Sequence, residues 1–395
     1  MQKVIFLVDM NAFYISCEMS QNPELKGKPA AVAGDPKKRT GIILAANYEA
    51  RKYGVRTTML VHEVKKLCPE IILVPPRHEF YEKKSKEVME ILARYSPVIQ
   101  QNSIDEAWLD MTGCEALFGK PVDAAKKIMK AIMNELDLWC SIGISENKFL
   151  AKMASELKKP LGITELWKRD VPEKLWPLSV REMYGIGRQT EKALIDIGIY
   201  TIGDIAKSDP VFLAQKFGKY GEEIYRLANG IDESEVLENP QVKSKSIGRS
   251  TTLPENITDL ELAKTIILKL AEEVGMEARK QNYKGRTVSI VIRYDDFKTI
   301  TRQKTVRATY LTKEIYAAGA KLLEENWNSK KPVRLLGISL NNIATGEVEQ
   351  LSIFNLNGGE EVNEKEEKLE KAFDSIRERF GFDKIKRAVI LKDDL

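Results

Sequence analysis

The chain has 395 residues, of which 43% are hydrophobic and 30% charged. This ordinary globular composition excludes a disordered, collagenous or low-complexity chain. The length favours roughly two to four domains. No run of about 18 apolar residues occurs, which excludes a membrane span, and a strand pattern that starts at Val4 leaves no room for a signal peptide. The net charge is only +4, but residues 243–345 hold 19 Lys and Arg against 11 Asp and Glu, a balance of +8. Such an excess is expected of a surface that follows a phosphate backbone, and a solvated basic face without a partner is the alternative.

The first 166 residues alternate between strand and helix patterns. The predicted strands lie at 1–9, 30–33, 41–45, 71–74, 98–99, 107–111 and 140–144. The predicted helices lie at 11–20, 49–53, 61–67, 79–95, 121–138 and 147–157. With 11–76 treated as an insert that carries its own strands and helices, the order is β-α-β-β-α-β, which predicts a ferredoxin-like sheet with helices on one face.

Residues 167–240 have the pattern of short helices broken by glycines. The turn Gly185-Ile186-Gly187-Arg188 leads into a helix, and its glycines let the backbone N–H groups approach a ligand closely. This turn is typical of a helix–hairpin–helix that binds a DNA phosphate, although a plain interhelical turn has the same sequence. The polar segment 238–246 is predicted to be a linker.

Residues 247–345 return to a β-α-β-β-α-β pattern. The predicted strands are 247–252, 287–294, 299–306 and 333–340, and the helices are 260–281 and 313–327. Basic side chains alternate with apolar ones along the strands: Arg286, Arg293, Lys298, Arg302, Lys304 and Arg307. We expect them on one sheet face, with the core on the other, where they would touch phosphates without distinguishing bases.

The tail after residue 345 has three parts. The apolar cluster Gln350-Leu351-Ser352-Ile353-Phe354 is either a docking peptide or a strand packed on the preceding domain. A hydrophilic stretch follows at 360–371, and 372–380 is predicted to be a helix.

Two acidic motifs, Val8-Asp9-Met10 and Ser103-Ile104-Asp105-Glu106-Ala107, follow or lie within apolar strand patterns. Carboxylates are unfavourable to bury unless positive charge meets them, and those of Asp9, Asp105 and Glu106 would repel one another if they converged. With the Met10 carbonyl they form a set of hard oxygen ligands, which favours two Mg²⁺ ions, with Mn²⁺ as a substitute, and phosphoryl or nucleotidyl transfer. Surface charge is the alternative for an isolated Asp-Glu pair.

A triphosphate also needs fixed positive charge. Tyr48 and Arg51, three residues apart at a helix start, share a face, and Lys159 is a further candidate. Lys148 and Lys152 share one face of the helix at 147–157 and could alternatively meet DNA.

Cysteines and histidines are few and scattered: Cys17, Cys68, Cys114, Cys140, His62 and His78. A structural zinc site is therefore not expected, and the cysteines are predicted to be free thiols in a reducing, cytoplasmic compartment.

Seven ordered motifs resemble those of Y-family (translesion) DNA polymerases, most closely the bacterial DNA polymerase IV branch. They are VDMNAFY at 8–14, ANYEAR at 46–51, SIDEA at 103–107, KFLAK at 148–152, KPLG at 159–162, GIG at 185–187 and KSIGR at 245–249. The resemblance implies a right-hand α+β fold with a palm (1–10 and 77–166), fingers (11–76), a helix–hairpin–helix thumb (167–237), a linker (238–246), an α/β little finger (247–345) and a C-terminal tail. It also implies low-fidelity extension of primers across damaged template.

The resemblance carries roles onto individual residues. Asp9, Asp105 and Glu106 are implied to be metal ligands, Tyr48, Arg51 and Lys159 to hold the triphosphate, and Tyr14 to exclude the 2′-hydroxyl, with Phe13 beside it. The implied DNA contacts are Gly185, Gly187, Arg188, Lys245, Arg249, Arg286, Arg302 and Lys304. Gln350, Leu351, Ile353 and Phe354 are implied to bind a sliding clamp. Primer–template DNA and dNTP are the other expected partners, and we expect a monomer.

Asn11 and Ala45 depart from the family pattern, since some members have an Asp at the first position and a hydroxyl residue at the second. Two other functions fit part of the sequence. A nucleotide cyclase-like palm enzyme would explain the acids and bases but not the glycine hairpin or the basic domain. A catalytically dead DNA-binding protein would not need the intact acids.

Overall fold

The computed structural model describes residues 2–35, 41–237, 245–344, 360–381, 384–385 and 387, with side chains of the last helix from residue 365 onward. The described residues divide into two compact units, the first comprising 2–35 and 41–237 and the second comprising the described residues from 245 onward. In the part of the chain that is described, no helix combines the length and apolarity needed to cross a membrane.

The first unit contains eight strands and eleven α-helices among its described residues, besides four short 3₁₀ or π segments. In chain order they are β1 (Ile5–Met10), α1 (Phe13–Gln21), β2 (Ala30–Ala33), β3 (Ile43–Ala46), α2 (Tyr48–Lys52), α3 (Val61–Leu67), β4 (Ile72–Val74), α4 (His78–Leu92), β5 (Ile99–Gln101), β6 (Glu106–Asp110), α5 (Glu115–Phe118), α6 (Pro121–Leu136), β7 (Cys140–Ser145), α7 (Lys148–Leu157), β8 (Ile163–Glu165), α8 (Arg188–Ile195), α9 (Ile202–Lys207), α10 (Pro210–Phe217) and α11 (Lys219–Ala228). The predicted elements are present with shifted ends, and β8 and α5 are additions that the sequence patterns did not indicate.

The main sheet of the first unit has the strand order β5-β6-β1-β7-β8. Strands β5, β6, β1 and β7 are antiparallel neighbours in the ferredoxin-like arrangement, and β8 extends this sheet parallel to β7. The predicted ferredoxin-like sheet is therefore confirmed, with one added edge strand.

Strand β1 is buried along its whole length, and its side chains alternate between two layers. Phe6, Val8 and Met10 belong to a core that includes residues of α4 and α6, whereas Ile5 and Leu7 pack with Ala151 of α7. The expectation of helices on one face only is wrong, because α7 covers the second face at the centre of the sheet.

Two smaller layers complete the first unit. Strands β3-β2-β4 form a three-stranded sheet with its own core around Ile43 and Val64. Helices α8–α11 share a core that includes Leu194 and Leu213 and extends to Leu150 of α7. Helix α7 therefore packs both against the main sheet and in the core of the helical layer.

The second unit contains, among its described residues, β9 (Ser246–Ile257), α12 (Leu260–Lys280), β10 (Lys284–Tyr294), β11 (Thr299–Thr309), α13 (Thr312–Asn326), β12 (Val333–Ala344) and α14 (Glu360–Phe380). Its antiparallel sheet has the order β11-β10-β12-β9, and α12 and α13 contribute to one continuous core with it. Helix α14 begins at Glu360, so the prediction of a helix confined to 372–380 is wrong. The hydrophilic stretch is its first half.

The strand register also corrects the expected sheet faces. Arg302 lies opposite Ile290 and Lys304 opposite Val288, and both apolar partners are fully buried. Because cross-strand partners point to the same side of a sheet, these two bases lie on the helix-covered side, exposed at the edge strand β11. Near the middle of the strands the opposite side carries a row of uncharged residues: Gln303, Ser289, Ser339 and Gly248.

Candidate active site

Two acidic side chains meet on the α7 side of the main sheet. Asp9 of β1 lies directly opposite Glu106 of β6 in the antiparallel register, so both point to the side where Leu7 packs on α7. Both side chains are buried, at 10% and 11% exposure. Asn102 donates a hydrogen bond to Glu106 Oε1 at 2.5 Å.

Two lysines neutralise these acids. Lys152 Nζ of α7 lies 2.9 Å from Asp9 Oδ2 and 2.6 Å from Glu106 Oε2, and Lys159 Nζ lies 2.8 Å from Asp9 Oδ1. Both ammonium groups also donate to Glu156 Oε1, at 3.0 and 2.9 Å. The result is a cluster of three carboxylates and two ammonium groups, buried at Asp9, Glu106 and Lys152 and open to solvent at Glu156, which we name the palm cluster: Asp9, Glu106, Glu156, Lys152 and Lys159.

A glycine brings α7 close enough for this contact. Gly143 lies on β7 under α7, and a Cβ at that position would overlap the carbonyl oxygen of Ala151 and the nitrogen of Ser155. The backbone of α7 therefore lies directly on the sheet, one residue away from Lys152 along the helix.

The charges in the palm cluster shift one another. Burial acts to raise the pKa of Asp9, but the ammonium groups of Lys159 and Lys152 outweigh it and hold that pKa below its ordinary value. Burial acts to lower the pKa values of Lys152 and Lys159, and the nearby carboxylates raise both instead. Asp9 is thus held as a carboxylate and both lysines as cations.

Asp105 lies beside this cluster. Its carbonyl oxygen accepts a hydrogen bond from the Met10 N–H at 2.8 Å, and Ser103 Oγ lies 2.5 Å from its Oδ1. Within the described residues no group of three His, Cys, Asp or Glu side chains is arranged as a ready metal site. Lysine ammonium groups contact the carboxylate oxygens of Asp9 and Glu106 instead. The donors themselves are carboxylates and a main-chain carbonyl, a set that fits a hard divalent cation.

A cavity of about 460 Å³ unites the predicted catalytic and nucleotide-binding residues. Its lining includes every one of them: Asp9, Met10, Phe13, Tyr14, Tyr48, Arg51, Asp105, Glu106 and Lys159. Lys152 lines it as well. Residues from the first strand, from α2, from the β5–β6 turn and from the segment after α7 therefore share one space.

Tyr48 and Arg51 are held on the wall of this cavity by a short capped helix. Asn47 caps α2 by accepting a hydrogen bond from the Ala50 N–H at 3.0 Å. The Arg51 guanidinium lies 5.0 Å from the centre of the Tyr48 ring and donates from Nε to the Ala46 carbonyl. The Tyr48 hydroxyl is buried without a hydrogen-bond partner among the described residues. Such an orphaned hydroxyl is unfavourable unless a ligand completes its hydrogen bonding, which fits a phosphate oxygen.

Tyr14 is held by an aromatic support that sequence reasoning missed. Its ring stacks on the fully buried ring of Tyr81 with centroids 4.3 Å apart. The Tyr81 hydroxyl donates to Glu18 Oε1 at 2.7 Å, and Arg77 pairs with the same carboxylate. A lone Glu18 among the apolar residues of α1 was the available signal, since a carboxylate there needs partners.

Asn11, one of the departures from the family pattern, has a structural role. It is buried, its Nδ2 donates to Ser141 Oγ at 3.0 Å, and its Oδ1 accepts from the Leu161 N–H at 2.9 Å. It thereby ties the segment that follows Lys159 to the sheet. Ala45, the other departure, lines the cavity with a methyl group where a hydroxyl would offer a hydrogen bond.

The predicted DNA contacts lie on exposed surfaces. Gly185, with φ of +94°, and Gly187, the N-cap of α8, flank the buried Ile186 and precede the exposed Arg188. In the second unit the five predicted bases are all exposed: Lys245, Arg249, Arg286, Arg302 and Lys304. The predicted clamp-binding residues, Gln350, Leu351, Ile353 and Phe354, lie outside the described residues. The four cysteines are free thiols.

Comparisons with known proteins cover nearly the whole chain. Residues 8–156 match the model of the impB/mucB/samB family, residues 168–199 match the IMS family HHH motif, and residues 244–353 match the impB/mucB/samB family C-terminal domain.

Two similar proteins are both named DNA polymerase IV. The chain is 58% identical to the DNA polymerase IV of Clostridium kluyveri over 99% of both chains, and 54% identical to that of Alkaliphilus oremlandii over 99% of this chain and 100% of the relative. A solved Y-family DNA polymerase chimera superposes with a TM-score of 0.78 at 28% identity, covering 87% of this chain and 100% of its own. The right-hand α+β fold class predicted from the motifs is thereby confirmed, and the chain belongs to the impB/mucB/samB family of Y-family DNA polymerases.

Proposed function

We propose that this chain is a template-directed DNA polymerase that carries out low-fidelity translesion synthesis. It transfers a deoxynucleoside monophosphate from dNTP to a primer 3′-hydroxyl and releases pyrophosphate. The observation that carries the proposal is the single cavity that joins three carboxylates, from Asp9, Asp105 and Glu106, to the phosphate-binding groups of Tyr48, Arg51 and Lys159. The name of the relatives, DNA polymerase IV, supports the same reaction.

The family depends on a divalent metal, and the donor set here favours Mg²⁺, with Mn²⁺ as a substitute. Asp9, Asp105, Glu106 and the Met10 carbonyl would hold two ions. When bound, such ions lower the pKa of an attacking hydroxyl and stabilise a leaving pyrophosphate.

The protein's own groups select and orient the triphosphate. The Lys159 ammonium and the Arg51 guanidinium supply fixed positive charge on the cavity wall, and the unpartnered Tyr48 hydroxyl donates to a phosphate oxygen. The ring of Tyr14, fixed by stacking on Tyr81, takes the face of the sugar and leaves no room for a 2′-hydroxyl. The backbone of Phe13 lies next to this ring and faces the phosphates.

We assign the palm to 1–10 and 77–166, the fingers to 11–76, the thumb to 167–237, the linker to 238–246 and the little finger to 247–345.

The proposed partners follow from the charged surfaces. The thumb glycine turn, with Arg188, and the exposed bases of the second unit bind primer–template DNA through its phosphates. The peptide 350–354 binds a sliding clamp, and the chain acts as a monomer in the cytoplasm.

Two other functions explain less. A nucleotide cyclase-like palm enzyme would account for the cavity, but family matches extend through the HHH motif and the C-terminal domain. A non-catalytic DNA-binding protein would not preserve a buried Asp9 opposite a buried Glu106.

Replacing Asp105 by Ala tests the proposal. We expect primer extension with Mg²⁺ to disappear while DNA affinity stays within about twofold, because a metal ligand is removed and the basic surfaces remain. Asp123→Ala, an exposed acid on α6, is the matched control and should extend primers normally. Undiminished extension by Asp105→Ala would overturn the metal assignment.

A further inference from the structure

Lys152 lies at the centre of the palm cluster although the polymerase reaction assigns it no task. Its ammonium group donates to Asp9, Glu106 and Glu156 at 2.6–3.0 Å, which uses all three of its N–H donors. The side chain is only 10% exposed. It was considered above as a DNA contact, but a buried ammonium with three carboxylate partners has no donor left for a phosphate.

The Lys152 ammonium lies between two carboxylates and contacts both of them. Asp9 and Glu106 are cross-strand neighbours, both buried, and would repel each other without positive charge between them. Lys152 contacts one oxygen of each, so it occupies the same oxygens that a divalent ion needs.

Helix geometry leaves the Lys152 ammonium with other partners if it moves away from Asp9 and Glu106. Glu156 is one turn further along α7, and its side chain is 47% exposed, so it reaches solvent and has room to move. The Tyr184 ring centre lies 6.0 Å from the same ammonium and offers a further favourable contact. Lys152 can therefore leave Asp9 and Glu106 without losing every partner.

We infer that Lys152 is a resident counter-ion of the metal site: it holds the Asp9 and Glu106 carboxylates when no divalent ion is bound, and it withdraws to Glu156 when the ions enter. The inference rests on the proposed function. It makes Lys152 a positioning residue that competes with the metal, and Glu156 the residue that relieves the competition.

Two variants should change metal affinity in opposite directions. Lys152→Met removes the competing cation and keeps an apolar stem, so Mn²⁺ should bind on the order of tenfold more tightly. Glu156→Gln removes the alternative partner and leaves Lys152 on the acids, so Mn²⁺ should bind severalfold more weakly. A lysine that merely supports the fold would weaken metal binding when replaced.

The experiment measures Mn²⁺ binding to the full chain by electron paramagnetic resonance, without DNA or nucleotide, and thermal unfolding in chelator. Lys152→Met should unfold at lower temperature in chelator, and Mn²⁺ should restore more stability to it than to the unmodified chain. Lys158→Met, an exposed lysine at the end of the same helix, is the matched control and should change neither property.

The outcomes separate this inference from the proposed function. If the unmodified chain binds no Mn²⁺, or if Asp105→Asn does not weaken its Mn²⁺ binding, the metal site itself is refuted. If it does bind Mn²⁺ there, and Lys152→Met binds equally or less tightly, the counter-ion role is refuted. Should Lys152→Met fail to fold, Glu156→Gln decides, because equal or tighter Mn²⁺ binding by that variant contradicts the competition.

Discussion

Among the described residues, each unit holds an ionic cluster with buried members, and the two clusters are built from different cations. The palm cluster joins three carboxylates to two lysines. The second, which we name the tail cluster, joins α14 and the residue Arg387 to α12 through three acids and three arginines: Glu272, Glu370, Asp374, Arg279, Arg377 and Arg387. Arg279 is 3% exposed at its side chain and grips Asp374 with two nitrogens, at 2.6 and 2.9 Å.

The difference in cation corresponds to a difference in task. A guanidinium forms a rigid fork that matches a carboxylate, whereas an ammonium is a compact charge on a flexible stem that changes partners easily. The arginines lie in a packed contact between helices, and the lysines line an open cavity. The tail cluster is therefore suited to holding a helix in place, and the palm cluster to exchanging partners.

The largest expected effect compares one acid from each cluster. Asp9→Asn should reduce the rate of primer extension by about a thousandfold or more, because a metal ligand loses its charge. Asp374→Asn should leave that rate within about twofold, since it alters only the docking of α14. Single-turnover incorporation with both variants checks this, and comparable losses in the two would erase the distinction between the clusters.

Removing an arginine should destabilise the tail rather than the reaction. Arg279→Met leaves Asp374 without its bidentate partner and removes one of the two arginines that contact the buried Glu370, so α14 should lose about 3 kcal/mol of docking stability. Hydrogen exchange of the α14 amides measures this directly. Unchanged protection of α14 would show that its apolar contacts, and not the arginine, hold it.

Exchanging the two kinds of cation sharpens the comparison at a smaller scale. Arg279→Lys should recover only part of the lost protection, because one ammonium cannot reproduce a bidentate contact. Lys152→Arg should weaken Mn²⁺ binding severalfold, since a forked cation holds Asp9 and Glu106 more firmly. If either replacement behaves like the native residue, the choice of cation is not what separates the clusters.

The smallest effect belongs to an exposed pair. Arg249 and Glu273 are 3.6 Å apart with both side chains more than 40% exposed, so Arg249→Ala should change unfolding stability by less than about 0.5 kcal/mol. If Arg249 contacts a DNA phosphate, the same variant should lower the salt dependence of DNA affinity by about one ion. A large loss of stability would indicate a packing role instead.

Much of the first unit could be predicted from the sequence. Periodicity located α3 at Val61–Leu67, and the β-α-β-β-α-β order indicated the sheet. The charge pattern did not reveal the extent of α14, because Glu370 and Arg377 look like solvated charges until their partners on α12 are known. Likewise, the edge strand β11 exposes side chains on both of its faces. The alternation of basic and apolar residues alone therefore could not show which face carries Arg302 and Lys304.

The candidate active site also has a part that the sequence predicted and a part that it did not. By itself the sequence determined the candidate acids and phosphate-binding residues, because strand-end carboxylates and a helix-start base have recognisable chemistry: Asp9, Asp105, Glu106, Tyr48, Arg51 and Lys159. Tyr14 was predicted only through the resemblance to a family. Only the tertiary structure decided that Lys152 fills the space between Asp9 and Glu106, and that Tyr81 supports Tyr14. Those contacts join residues 46 to 143 positions apart. The physical reason is that strand register and the close approach of α7 over Gly143, not local sequence pattern, decide which charges come together.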